Sequence, residues 1–300
     1  MWVINNRRIF FGLSGFLAVL ALASIFVFGL NLGIDFKGGS ILEVEYSEFR
    51  PETEVVLETL EPLMIGNILV QPTGESGQIL RMPEISTGLQ AEILSLLTEA
   101  TEQEVQEIRF SSIGPAIGAE LANKGLIAIA LVVVLIIGFL AFAFSGSSKQ
   151  MSSWRYGVVA IITLIHDILL PVGLFAFLGW LVGFEMDALF LTALLAILGL
   201  SVNDTIVVFD RIRENSVLFP KKSFTDITGE SLSQTYIRSI NTSVTTIVVL
   251  LSLWLLGGET TKNFALVLAV GMALGTYSSI FLAAPLLAEW SERSKNKKQA

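Results

Sequence analysis

The chain alternates between apolar runs that fit a bilayer and polar segments that do not. Apolar runs at 9–30, 125–144, 156–181, 187–210, 236–256 and 264–290 each approach or exceed the roughly 20 residues that span a hydrocarbon core. They predict a polytopic α-helical membrane protein with six transmembrane helices. Arg7 and Arg8 precede the first run. Its apolar core is longer than that of a cleaved leader and no clear small-x-small site follows, so it reads as a retained helix.

Residues 33–122 keep a different rhythm. GIDFKGGS, at 33–40, combines three glycines with Asp35 and Lys37, which suits a tight turn off the membrane. No Gly-Lys-Ser/Thr follows at phosphate-loop spacing. Leu42, Val44 and Tyr46 alternate with Glu43 and Glu45, the period of a half-buried strand. Val56, Leu60 and Leu63 mark a helix over 51–63. Strands at 68–71 and 78–82 flank a turn at 72–77. Thr87 is the expected N-cap of a helix with Leu89, Ile93, Leu96 and Leu97 on one face. A last strand is expected over 103–111. The order β-α-β-β-α-β predicts one ferredoxin-like α+β domain between transmembrane helices 1 and 2.

Composition agrees with a membrane protein: 53% of residues are hydrophobic and the mean hydropathy is +0.70. The chain has no cysteine and one histidine, so disulfides, thiol chemistry and His-rich metal sites are excluded. Charge is segregated. Segment 33–122 holds sixteen Asp/Glu and four Lys/Arg, a net of −12. The N-terminus, the polar loop at 145–155, the segment 211–240 and the basic tail at 291–300 hold thirteen of the nineteen Lys/Arg. The positive-inside rule then places both termini in the cytoplasm and the acidic domain outside. Residues 211–234 read as a long polar loop.

Inside the fourth run stand Asn203 and Asp204. A carboxylate in hydrocarbon costs a few kcal/mol or more unless it is paired, hydrated or protonated. Ser231, Thr235, Arg238, Thr242 and Thr245 recur at spacings that line one face of the fifth helix. Arg238 either snorkels to the interface or turns inward to pair with a carboxylate. Asp204 either sits in a static ion pair or takes up and releases a proton as its surroundings change. His166 and Asp167, neighbours in the third run, either pack against another helix or extend a hydrated path. Gly271, Gly275, Ser279 and Ala283 recur every four residues in the sixth run, a spacing that lets helix backbones approach.

GIDFKGG after the first run, His166-Asp167 in the third, VNDTIVVFDRIREN at 202–215 and RSINTS at 238–243 together closely resemble the SecF family of bacterial protein-export membrane proteins. The likeness extends over nearly the whole chain, and reaches more distantly to the resistance-nodulation-division transporters. It implies an inner-membrane subunit that joins SecD, acts with the SecYEG channel, and uses the proton motive force to assist preprotein translocation. No bond-making catalysis, cofactor, metal or nucleic acid is implied. Asp204 and Arg238 match the positions tied to proton conduction in the family. With Asn203, His166 and Asp167 they form the expected proton pathway, which SecD would complete. Gly33, Asp35, Gly38 and Gly39 form the expected hinge to the outer domain. Two other classes remain: a proton-driven small-molecule or lipid efflux subunit of the same superfamily, and a structural assembly factor.

Overall fold

The computed structural model describes residues 2–144 and 151–299. The chain divides into two compact units, Leu32–Leu126 and Met1–Asn31 with Ile127–Ala300. A short helix α1 (Trp2–Asn5) leads into α2 (Arg7–Phe28), the first apolar span.

The smaller unit begins with a single helical turn, α3 (Ile34–Lys37), where the sequence suggested only a turn. Gly38 and Gly39 follow with φ of 79° and 130°. A Cβ on Gly38 would fall 2.7 Å from the Pro115 Cα, so conformation and space both demand glycine there. Gly33 is extended and carries no such demand. The chain then runs β1 (Gly39–Tyr46), α4 (Thr53–Leu60) prolonged by a 3-10 turn (Glu61–Leu63), β2 (Leu69–Thr73), β3 (Gly77–Met82), α5 (Thr87–Thr101) and β4 (Val105–Ile113). The sheet order is β2-β3-β1-β4 with every neighbouring pair antiparallel. Leu42, Val44, Tyr46, Val56, Leu60, Leu80, Ile93 and Leu97 form its core.

Three local expectations shift. Ser86, not Thr87, caps α5, its Oγ accepting from the Leu89 N–H at 3.3 Å. Pro72 and Thr73 belong to β2 and pair with Gln78 and Gly77, so the turn is shorter than 72–77. Proline is admissible because β2 is an edge strand. β4 starts at Val105 because the Gln103 side chain is engaged elsewhere: its Oε1 accepts from the Glu48 and Phe49 N–H groups and its Nε2 donates to the Phe49 carbonyl.

In the larger unit the spans continue as α6 (Pro115–Ala143), α7 (Ser153–Val182), α8 (Ala188–Leu218), α9 (Phe224–Leu256), α10 (Glu259–Ser278), a π-helical turn (Ser279–Ala283) and α11 (Ala284–Gln299). With α2, six helical stretches among the described residues are long and apolar enough to cross a membrane. The expected loop at 145–155 lies partly outside the described residues, and α7 has already begun at Ser153. The basic tail continues the last helix to Gln299.

The expectation of a polar loop over 211–234 is wrong. Helices α8 and α9 extend beyond their apolar stretches and leave only residues 219–223 between them. Polar side chains stitch this extension. Asn215 Nδ2 donates to Ser231 Oγ at 2.8 Å and to Gln234 Oε1 at 2.9 Å, and Arg211 Nε donates to the same amide oxygen at 2.6 Å. Hydropathy registers only the lipid-facing length of a helix, so a polar extension reads as loop.

Leu140, Phe144, Tyr156, Val159, Leu198, Phe209, Ile212, Ala283 and Leu287 are part of the larger unit's core. Phe144 stacks on Tyr156 at 5.1 Å between ring centroids, and Phe209 packs edge-on against both. By contrast α6 leaves Leu126, Leu131, Leu135, Phe139 and Phe142 exposed.

Candidate functional site

Helix α8 is held at its start by Asp187, whose Oδ1 accepts from the Phe190 N–H at 2.8 Å. Asp204 lies four turns further on. Its Oδ1 accepts from Ser239 Oγ of α9 at 2.5 Å. Its Oδ2 is buried without a hydrogen-bond partner among the described residues. Asn203, one residue earlier, is exposed on another face of α8. Arg238 is exposed too, and among the described residues it forms no ion pair with Asp204. It lies close enough for its charge to act on that carboxylate.

A cleft of about 330 Å³ opens along the α8–α9 seam, lined by Asp210, Arg211, Glu214, Gln234, Thr235 and Arg238. Asp204 and Ser239 continue the same seam one turn deeper.

A second polar centre lies where α7, α8 and α10 meet. Asp167 is fully buried. Its Oδ2 accepts from Ser201 of α8 in a short hydrogen bond and from Ser278 of α10 at 2.8 Å. His166 Nδ1 lies 3.1 Å from its Oδ1, where an N–H donates. The imidazole stacks on Tyr277, whose hydroxyl lies 3.1 Å from Ser14 Oγ of α2. His166 Nε2 is buried without a hydrogen-bond partner among the described residues.

Small residues bring these helices together. Gly275 meets Ser201, a Cβ there falling 2.9 Å from the Ser201 Cβ, and Gly271 meets Ile197. Ser279 Oγ lies 2.9 Å from Thr205 Oγ1, and Ala283 is buried. The pairs 271/197, 275/201 and 279/205 advance in step, four residues at a time, along the two parallel helices. At Ser279 the helix loosens into its π turn, so that Ser278 reaches α7 while Ser279 reaches α8.

The polar stripe of α9 is rotated from its expected position. Ser231 and Thr235 are buried, but Arg238, Thr242 and Thr245 are exposed. The inward stripe instead continues through Ser239 and Ser243, and Ser243 forms a short hydrogen bond with Thr276 of α10. The serines at 201, 239, 243 and 278 are the residues that sequence reasoning missed. A signal existed: 231, 235, 239 and 243 are hydroxyl residues spaced by four. Among the described residues no cluster of His, Asp and Glu is arranged to hold a metal ion.

Residues 93–293 match the family of protein export membrane protein SecD/SecF, C-terminal, and residues 23–48 match the SecD/SecF GG motif. The protein translocase subunit SecF of Anaerolinea thermophila is 41% identical over 290 residues, covering 96% of this chain and 93% of that one.

The chain belongs to the SecF family.

The SecF subunit of Escherichia coli O157:H7 is 34% identical over 282 residues, covering 92% of this chain and 83% of its own length. The crystal structure of SecDF from Thermus thermophilus, described as a translocon-associated membrane protein, superposes with a TM-score of 0.83 at 31% identity. It covers 97% of this chain, which spans 38% of that longer polypeptide. The GG-motif match contains the adjacent Gly38 and Gly39, both with positive φ.

Proposed function

We propose that this SecF-family chain is a multi-pass inner-membrane subunit of the Sec protein translocase, working with SecD to apply the proton motive force to preprotein movement through SecYEG. The relatives are named as translocase subunits, and the SecDF relative joins a SecF-like region to further sequence in one polypeptide. The observation that carries the mechanistic reading is Asp204. It is an intramembrane carboxylate with one oxygen held by Ser239, the other buried and unpartnered, at the head of a polar cleft bearing Arg238. Such a group can gain and lose a proton with small rearrangement, and each protonation state favours a different packing of α8 against α9.

In this reading both termini are cytoplasmic, the cleft at Arg211 and Arg238 opens to the cytoplasm, and the smaller unit is a ferredoxin-like extracytoplasmic domain. Residues 33–39 act as the connecting elbow, with Gly33 and Asp35 on its membrane side. Gly38 and Gly39 are packed against neighbouring backbone and would make that elbow a stiff transmitter. Asn203 and the exposed faces of α6 and α9 are free to meet SecD and lipid. The chain would move protons and helices and make no covalent bond.

The test uses cells lacking the native gene. Export of a secreted reporter is compared for wild type and Asp204→Asn at equal membrane levels and equal recovery of SecD. Loss of export with the complex intact supports proton coupling. Normal export removes it and favours an assembly role.

A further inference from the structure

We infer that Asp167 is a positioning residue for the Asp204 site, a fully occupied hydrogen-bond acceptor that fixes α8 against α7 and α10 and carries no proton of its own. The inference rests on the proposed proton role of Asp204.

The two carboxylates differ in what surrounds them. Asp204 has an oxygen without a partner and a polar cleft one turn away. Asp167 is 0% exposed, and both its oxygens are engaged, by Ser201, Ser278 and His166. Ser201 and Ser278 each place a hydroxyl against it, the Ser278 hydroxyl being shared with the Gly275 carbonyl at 2.9 Å, and His166 donates to it in the tautomer that carries the proton on Nδ1. The titratable groups around it are His166 on its own helix, Tyr277 on α10 and, one turn along α8 from Ser201, Asp204 itself. Ser201 Oγ and the Ser279–Thr205 pair bracket the turn of α8 that bears Asp204. Gly275 lets α8 and α10 touch, and the two serine hydroxyls converging on one oxygen of Asp167 fix the rotation of α8 at that contact, with Ser278 presented at the mouth of the π turn. Removing the acceptor leaves the buried Ser201 hydroxyl without it and Ser278 bonded within its own helix to the Gly275 carbonyl, and frees α8 to rotate, which displaces Asp204 from Ser239.

Asparagine can take the same place. Its oxygen accepts from both serines, and its NH2 group can donate to His166 Nδ1 once the imidazole proton moves to Nε2, which has no hydrogen-bond partner among the described residues. A proton carrier does not survive that replacement; an acceptor does. Leucine removes the acceptor.

The experiment measures reporter export and its dependence on external pH in cells carrying the full chain with SecD, at matched membrane levels and matched complex recovery. Asp167→Asn is expected to export within about twofold of wild type with an unmoved pH profile, whereas Asp167→Leu slows export about tenfold and shifts the profile. Equal loss in Asp167→Asn and Asp167→Leu would overturn the inference by making Asp167 a carrier, and full activity in Asp167→Leu would overturn it by leaving no role. Should Asp167→Leu fail to accumulate, the double variant Ser201→Ala/Ser278→Ala removes both donors and takes its place with the same expected loss. Asp204→Asn measured alongside separates the two claims. Normal export in that variant removes the proton reading and this inference with it, while an inactive Asp204→Asn together with an inactive Asp167→Asn removes the positioning role alone.

Discussion

Ser239 donates to Asp204 across the α8–α9 interface at 2.5 Å, and the second oxygen of that carboxylate is buried without a partner. The pair joins Asp204 of α8 to the inward stripe of α9. A hydroxyl can donate to a carboxylate and can also accept from a carboxylic acid, so the contact survives both protonation states while its geometry changes.

Ser239→Ala is expected to weaken this coupling without abolishing assembly. A hydrogen bond to a charged group contributes roughly 1.5–3 kcal/mol. The gradient-dependent part of export should therefore fall about tenfold or more, while Ser239→Thr keeps the hydroxyl and retains most of it. Export kinetics at matched membrane levels decide; full activity of the alanine variant would show that Ser239 is a bystander.

The glycine stripe predicts a cost at two positions. A methyl at Gly271 would fall 2.1–3.1 Å from the Cδ1, Cγ1 and Cγ2 atoms of buried Ile197, whereas one at Gly275 would fall 2.9 Å from the Ser201 Cβ. Both Gly271→Ala and Gly275→Ala should lower thermal stability in detergent by about 1–3 kcal/mol. An unchanged stability in both variants would contradict the close α8–α10 packing.

The six spans were legible because each is an apolar run of bilayer length. The polar extensions of α8 and α9 were not, because Asn215, Ser231 and Gln234 stabilise helix by pairing with each other, and hydropathy counts them as loop. Asp204 was legible as a carboxylate in an apolar run. Its partner Ser239 was not. An alternation of three and four from Thr235 leads to Arg238 and Thr242, while a constant step of four leads to Ser239 and Ser243. About 100° of rotation per residue separates the two faces, and only packing chooses. The π turn at Ser279–Ala283 has no composition of its own and escaped for that reason. In the smaller unit the alternation of Leu42, Val44 and Tyr46 located its strand directly, whereas the start of β4 depended on where the Gln103 side chain went.

Arg7 draws the two ends of the larger unit together. Its Nε meets Glu289 at 2.7 Å and its Nη2 meets Glu292, which also accepts from Thr225 Oγ1 at 2.7 Å. The Arg7 and Glu289 side chains are 16% and 20% exposed, so this pair exceeds the usual worth of a surface ion pair. Arg7→Ala should cost about 1–3 kcal/mol of stability, and Arg7→Lys should recover only part of it because lysine lacks the fork. Thermal unfolding in detergent measures both, and an unchanged midpoint in Arg7→Ala would discount the contact.

Alkaline pH tests the small unit's core. Tyr46 donates to Gln78 Oε1 at 3.0 Å, and burial pushes its ionisation from 10.0 up to about 12. The folded state thus holds the phenol proton more tightly than the unfolded chain. The associated stability is fully present below pH 10.0 and is lost as pH rises through about 12. The amplitude of late tyrosinate absorbance should be smaller in Tyr46→Phe than in the wild type, and an unchanged late amplitude would show that Tyr46 ionises with the exposed tyrosines.

The most direct test of the central claim measures preprotein translocation in sealed membrane vesicles containing the full complex, with and without an imposed proton gradient, for wild type and Asp204→Asn. The gradient should accelerate translocation for wild type and leave Asp204→Asn unchanged at equal complex levels. Equal acceleration of both would contradict a proton-coupling role for Asp204.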